Sequence, residues 1–447
     1  ALVLRQFVLR CGDPTRELDL AGMLLRTGKS KGGLDLLESL AKRYGDDPMT
    51  LGQVGELLIR YDGPAAFIER VYGRLIKLDS SEEAHLVALG EYYFSVDRKD
   101  DAIATWTRIE GAMRNAGKAQ LVLARLFADH EMNDEADTHY RRALDLMPGK
   151  VPPRKSYALF LERVRRGGDA LAAWELVHAA LASDEIDARQ EARRHIVDLA
   201  VGLSQIQSRM TAWQADQGRD SRLLLAEALL GTGKLVEAEA LLSGAGASDV
   251  ESLLYLDVVY EKLNRADESL AVLGRLLTLD PPRAAVRLRR MAELAQALGR
   301  GADVERFARR AVDLAPTDGL AQEYLGDVLA GQGQLDEALS AYRRGATLDA
   351  RRMPLRFKIV RMLERLGRPD ELSAALMALV ERATDPADIL AAGRALAGVG
   401  GDTLGRLEAL LLRLSAEHPR QTTYRDLLID VYATLAERQR RLRFRDP

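Results

Sequence analysis

The chain has 447 residues, more than the ~250–300 at which a single hydrophobic core stops growing, so it is either several domains or an elongated array. Hydrophobic residues make up 47% and charged residues 29%, which excludes a disordered chain, and 64 basic against 67 acidic residues exclude a general affinity for nucleic-acid backbones. The single cysteine, Cys11, excludes an internal disulfide framework.

That cysteine count fits a reducing compartment, slightly favouring the cytoplasm, and equally a periplasmic protein whose N-terminal signal was removed. No signal peptide is visible, and no apolar run is long enough to span a membrane. Residues 1–10 read as an amphipathic helix, and the first residue is Ala rather than Met. We therefore expect a natural chain that extends further N-terminally, with residues 1–13 continuing from a preceding repeat.

From there the sequence repeats. Ala102, Ala136, Ala170, Ser204 and Ala238 recur every 34 residues, and Trp106, Tyr140, Trp174, Ser208 and Leu242 follow four positions later. Upstream, Leu89-Gly90, Leu123-Ala124, Tyr157-Ala158 and Leu225-Ala226 keep the same phase. The clearest unit, Gly319 to Arg352, has Leu325-Gly326, Leu329, Gly333, Ala338, Tyr342 and Ala346, and prolines close units at Pro148, Pro281 and Pro316. The pattern resembles the tetratricopeptide (TPR) family, in the form of a bacterial-type multi-repeat protein. The resemblance implies an all-α fold, a right-handed α-solenoid of about twelve helix-turn-helix units, over roughly residues 14–420.

The residues support the same architecture on physical grounds. Small side chains at Gly90, Ala124 and Gly326 on a first helix, and at Ala102, Ala136 and Ala338 on a second, let two backbones approach closely. The aromatic rings of Trp106, Tyr140 and Tyr342 fill the gap. Gly28, Gly333 and Gly367 suit a left-handed residue closing the first helix, and acids such as Asp336 and Glu337 suit the first turn of the second.

In chain order we expect units starting near 14, 48, 83, 117, 151, 185, 219, 250, 285, 319, 353 and 388. They group as N-terminal units over 14–184, a degenerate unit over 185–218, C-terminal units over 219–420 and a capping helix over 421–447. In the degenerate unit Gln205, Ser208 and Gln214 replace apolar residues, yet the phase holds on both sides, so one continuous array is expected. The unit at 219–249 has a short second helix ending near Gly244 and Gly246. These two places are the expected weak links. The capping helix should carry a charged outer face, with Arg438, Arg440, Arg441, Arg443 and Arg445 as a solvated basic end.

Chemistry is hard to find. Gly28-Lys29-Ser30 and the similar GTGKL around Gly233 resemble the tail of a phosphate loop, but Met23 stands where the first loop needs glycine and a helix precedes it. Both read as turns. His130 and His139, flanked by Glu131, Asp134, Glu135 and Asp137, read as solvated surface rather than a metal site. We expect no enzyme activity from this segment, no cofactor, no metal and no catalytic residue.

The family resemblance implies that first helices line a concave groove. Its partner-binding candidates are Lys118, Arg125, Lys155 and Arg163 in the N-terminal half, a basic stretch, and Glu227, Glu261, Glu293, Glu323 and Asp327 in the C-terminal half. There only Lys262 and Arg289 oppose the acids, so the second half should favour a basic or N-terminal peptide segment. Groove position 9 is never Asn, which disfavours the carboxylate-clamp subtype that holds chaperone C-termini. The reading is a protein–protein interaction scaffold binding a peptide or protein in its groove. Two alternatives are the recognition arm of a larger enzyme or signalling protein, and a periplasmic scaffold for envelope assembly or polysaccharide export.

Overall fold

Helix starts are written into the links. Asp13-Pro14 and Asp47-Pro48 place a proline at the first helical position and a carboxylate just before it; Asp47 accepts hydrogen bonds from the Met49 and Thr50 amides at 3.3 and 3.2 Å. Asn115, Asp249 and Asp318 cap three further helices in the same way.

The computed structural model describes residues 13–216, 218–244, 249–349, 352–399, 403–418 and 421–443, the side chains of 437–443 excepted. Among them the regular structure is helical throughout, in consecutive antiparallel pairs. Two compact units meet between Ala215 and Asp216. The first holds α1 (Pro14–Arg26) with α2 (Ser30–Arg43), α3 (Pro48–Arg60) with α4 (Ala65–Leu78), and α5 (Glu83–Ser95) with α6 (Lys99–Thr107) and α7 (Ile109–Ala112). It continues with α8 (Ala116–Asp129) and α9 (Asn133–Leu146), α10 (Val151–Arg163) and α11 (Gly167–Ala180), and α12 (Ile186–Gly202) and α13 (Ile206–Ala215).

The second unit pairs α14 (Arg219–Gly231) with α15 (Leu235–Gly244), α16 (Val250–Lys262) with α17 (Ala266–Leu279), and α18 (Ala284–Ala297) with α19 (Gly301–Leu314). Then come α20 (Gly319–Gly331) with α21 (Leu335–Leu348), α22 (Met353–Leu366) with α23 (Pro369–Arg382), α24 (Pro386–Val399) with α25 (Thr403–Glu417), and a closing helix α26 (Thr423–Arg443). The described part of α15 runs to Gly244, and residues 245–248, where the sequence places the end of a short second helix, lie outside the described residues. Gly246, residues 1–12 and Arg445 lie outside the described residues, as do the side chains of Arg438, Arg440, Arg441 and Arg443.

Eight of the first eleven pairs carry Gly or Ala seven residues before the left-handed turn position, and Val197, Asp257 and Val360 stand there in the sixth, eighth and eleventh. A Cβ built on Gly90 would come 2.1 Å from Trp106 Nε1, and one on Gly326 would come 2.5 Å from the Tyr342 ring. The ring of the second helix therefore occupies the space of the side chain that the first helix lacks. Ala124, Ala226 and Ala292 at equivalent places are completely buried.

The turn between the helices of a pair is equally uniform. One residue in each described turn of the first eleven pairs is left-handed: Gly28, Asp62, Asp97, Glu131, Arg165, Ser204, Gly233, Asn264, Gly299, Gly333 and Gly367. The amide after it reaches back to a carbonyl five residues earlier, as in Gln334 to Leu329 at 2.9 Å and Arg166 to Leu161 at 2.9 Å. This double closure of the helix end is the Schellman arrangement.

The sixth pair departs from the sequence expectation. α12 runs for 17 residues, so the in-phase Ser204 is the left-handed turn residue (φ 58°) and not the small residue of a second helix. The phase at the pair's ends hides a shift inside it. α12 also buries Arg189 and Arg193, with Arg189 donating to the Leu181 carbonyl at 3.1 Å and Arg193 3.5 Å from His178. The closing helix differs as well: its outer face is not simply charged, because Ile429 is 66% and Tyr432 46% exposed beside Arg425 and Asp430.

All three tryptophans, Trp106, Trp174 and Trp213, lie in the first unit, so their fluorescence reports its unfolding alone. In denaturant, Gly90→Ala should lower the stability of that transition by about 1–3 kcal/mol through overpacking against Trp106. Arg165→Gly should raise it by about 0.5–1 kcal/mol, since relief of the left-handed strain exceeds the entropy that glycine adds to the unfolded chain. An unchanged midpoint in either variant would contradict the packing account.

Candidate partner-binding surface

The nine residues nominated from the sequence all lie on first helices, and most of them bridge to the first helix of a neighbouring pair. In the first unit Arg125 on α8 donates to the Ser156 hydroxyl on α10 at 3.0 Å, and Arg163 on α10 reaches back to Asp129 on α8 at 3.0 Å. Lys155 holds Glu191 on α12 at 2.6 Å. Lys118 is exposed in the first turn of α8.

In the second unit the Tyr255 hydroxyl on α16 donates to Glu227 on α14 at 2.6 Å. Arg290 on α18 gathers Glu261 and Glu293, at 2.6 and 3.6 Å. Lys358 on α22 gathers Glu323 and Asp327, both at 2.7 Å. Asp327 also accepts from the Tyr342 hydroxyl at 2.7 Å, and Arg352 lies 2.6 Å from the buried Glu323 carboxylate.

These contacts correct the expected charge balance. Lys262 and Arg289 are not the only cations opposing the acids, because Arg290, Arg352 and Lys358 are interleaved with them. The basic residues of the first unit are likewise met by Asp129 and Glu191. Where these contacts fall, the first-helix faces form a ladder that carries both signs of charge rather than a field of one sign.

On the second helices a different contact recurs that the sequence reading missed. The residue after the left-handed turn position is often arginine, and it spans two acids. Arg98 holds Glu69 on α4 and Asp101 on its own helix, both at 2.6 Å. Arg166 holds Asp137 on α9 at 2.8 Å and Asp169 at 2.6 Å. Arg265 holds Glu239 on α15 at 2.8 Å and Glu268 at 2.7 Å. Arg368 does the same with Asp336 and Glu371. Arg300 keeps only the backward half, to Asp267 at 2.7 Å. The signal was present as Arg-x-x-Asp/Glu straight after these five turns. The arginines are about 40% exposed, so solvent screens each clasp and a single one contributes little to stability.

His130 and His139 are not solvated surface. His130 Nε2 lies 2.8 Å from Glu91, and its ring packs on Phe94 and Trp106 with centroids 4.1 and 4.9 Å away. His139 Nδ1 lies 2.6 Å from Gln120 Oε1 and stacks on Phe127 at 5.1 Å, and burial pushes its pKa down. Both belong to the aromatic seam joining the third and fourth pairs. His195 repeats the motif, stacked on Trp174 at 4.0 Å with Glu162 at 2.8 Å. The imidazoles were misread because their aromatic partners sit in other helices, 12 to 36 residues away.

Gly28 and Gly233, from the two strings that mimic phosphate loops, are left-handed turn residues. Among the described residues, no group of three or more His, Cys, Asp or Glu side chains is placed to share a metal ion. No described helix is long and apolar enough to cross a membrane.

The ring-on-glycine seat, the left-handed turn and the packing of successive pairs within each unit define the class: an all-helical array of helix-turn-helix repeats, the architecture that the tetratricopeptide resemblance implies. No family model matches the sequence, and no curated protein matches it. Among solved structures, the chain is similar to MamA (19% identity, covering 34% of this chain and 90% of that one, TM-score 0.30). It is also similar to YrrB, titled a TPR protein with an unusual peptide-binding site (18% identity, 42% and 97% covered, TM-score 0.32). A third likeness is to the APC/C hetero-tetramer Cut9–Hcn1 (14% identity, 96% and 92% covered, TM-score 0.28).

Asp137 offers a test of the clasp. Burial would push its carboxyl up, but the Tyr157 hydroxyl at 2.8 Å, Arg141 at 2.7 Å and Arg166 at 2.8 Å outweigh that and hold it below the ordinary aspartate value. Its stabilisation is thus complete above about pH 4 and is lost as pH falls through the lower, folded-state pKa. Asp137→Asn should flatten the acid limb of the first unit's stability, measured by tryptophan fluorescence between about pH 4 and 2. A limb as steep as in the parent would rule the clasp out as a source of acid sensitivity.

Proposed function

We propose that this chain is a protein-interaction scaffold that holds an extended segment of a partner protein against its first-helix faces. The observation that carries the reading is the ladder itself. Side chains at corresponding places of successive first helices point away from the pair cores, carry hydrogen-bonding charge, and are bridged laterally rather than capped from above. Such a surface offers many weakly held polar groups in a row, which suits recognition of a chain segment more than turnover of a small molecule.

The contact residues we propose are Lys118, Arg125, Lys155 and Arg163 in the first unit, and Glu227, Glu261, Glu293 and Asp327 in the second; Glu323, expected among them, is buried and holds Arg352 and Lys358 in place instead. The interleaved cations favour a partner whose own charges alternate over one whose charge is uniformly basic. Binding would exchange internal ion pairs for external ones, so charge placement would govern specificity and on-rate more than affinity.

Affinity capture with the whole chain, read by mass spectrometry, should return a reproducible protein partner. A variant with Glu227, Glu293 and Asp327 all changed to Lys should reduce its recovery at least fivefold, while an equal number of acid-to-Lys changes on exposed second-helix positions should not. Equal recovery by both variants would remove the first-helix face from the interaction.

A further inference from the structure

Three consecutive pairs of the second unit share a surface feature that the first-helix ladder does not include. The second helices α17, α19 and α21 each end on an exposed leucine: Leu279, Leu314 and Leu348 are 46, 55 and 43% exposed. One turn earlier each helix carries an exposed arginine, Arg275, Arg310 and Arg344. The three helices run side by side. Arg300, just before α19, holds Asp267 of α17 at 2.7 Å, and Arg309 of α19 holds Glu337 of α21 at 2.6 Å. The leucines and the arginines therefore fall in two neighbouring rows across the second helices. On α23 the same places hold Ala378 and Arg382, which ends the rows.

Charge is unevenly spent along these helices. The acids near their starts are paired within the chain, as Glu268 is with Arg265, Glu305 with Arg309 and Asp336 with Arg368. The last five residues of the three helices hold three arginines against one acid, Asp313. Arg309 and Arg343 reach Glu337 and Glu371, but among the described residues no carboxylate lies within ion-pairing distance of Arg310 or Arg344. The dipole of a helix favours arginine near its C-terminus. That accounts for the charge, but not for an exposed leucine one turn on in three successive helices.

Packed helices lie about 8–10 Å apart, and seven residues of an α-helix rise about 10.5 Å. A helix laid across α17, α19 and α21 thus brings every seventh residue over a leucine of the row, and the residues beside that stripe over Arg310 and Arg344. Apolar side chains in the stripe and carboxylates beside it satisfy both rows. A basic segment would meet the arginines with like charge. An anionic lipid surface would meet Asp313 with like charge and an apolar row one leucine wide. We propose that this strip docks an acidic amphipathic helix of a partner protein. It lies on second helices, so it stands or falls apart from the first-helix ladder.

The test titrates the full chain into a fluorescently labelled, alanine-based helical peptide with leucine at every seventh position and glutamate four residues after each leucine, read by anisotropy at low ionic strength. This peptide should bind at least fivefold more tightly than versions with Gln for Glu or Ser for Leu. Arg310→Glu with Arg344→Glu should weaken binding at least fivefold and transfer the preference to a version with Lys for Glu, a reversal that a misfolded variant could not show. Leu314→Ser with Leu348→Ser should weaken binding of the Glu peptide as well. Arg108→Glu with Arg142→Glu makes the same charge change at corresponding places of the third and fourth pairs, where only the fourth has the exposed leucine, Leu146, and should leave binding within twofold. Equal binding of the Glu and Gln peptides, equal loss in both charge variants, or no reversal with the Lys peptide would each overturn the proposal. So would a peptide that fails to bind while the Arg310 and Arg344 substitutions abolish either sedimentation with phosphatidylserine vesicles or self-association of the chain, which would assign the strip to a membrane or to a second copy.

Discussion

Most pairs depend on one steric constraint: the first helix is bare, Gly or Ala, where a large side chain of the second helix crosses it. With Trp106 lying over Gly90 and Tyr342 over Gly326, the two backbones approach as closely as a ring's thickness allows. Close approach leaves little room for the connection, which is why each described turn closes through a left-handed residue and a five-residue backward hydrogen bond. A pair built this way buries one flank by itself and presents the other to its neighbour. Stability is then nearly a sum over pairs and junctions, and the functional surface is whatever the first helices leave facing outward.

Much of this was readable because it repeats. Gly333 and Gly367 announce their left-handed turns by composition, and the spacing of Ala102, Ala136 and Ala170 places the second helices. Where a turn uses Asp97, Glu131 or Arg165, composition is silent, and only the phase of the neighbouring repeats points to it. Phase itself misled at the sixth pair, since a longer first helix and a shorter second one sum to an ordinary repeat while Ser204 moves from helix to turn.

The surface was far less legible than the fold. Counting like charges at groove positions along the sequence found Glu261, Glu293, Glu323 and Asp327 but could not see that Arg290 and Lys358 sit between them, because those contacts depend on rotamers across helices. The same blindness turned His130 and His139 into surface residues when they are part of a packed seam. Helix periodicity says which way a residue faces, and it says nothing about what reaches it from the next pair.

The arginine clasps have a mechanical consequence. They fasten second helices at the third, fifth, eighth, ninth and eleventh pairs, while Met132, Gln205, Lys234 and Gln334 occupy the corresponding place at the fourth, sixth, seventh and tenth. Within each unit the junctions are therefore unequal springs in series. The sixth and tenth pairs are tied differently, by Arg209 to Glu175 and by Arg309 to Glu337, so a pulled unit meets a series of small, separately breakable ties and gives way gradually rather than at one latch.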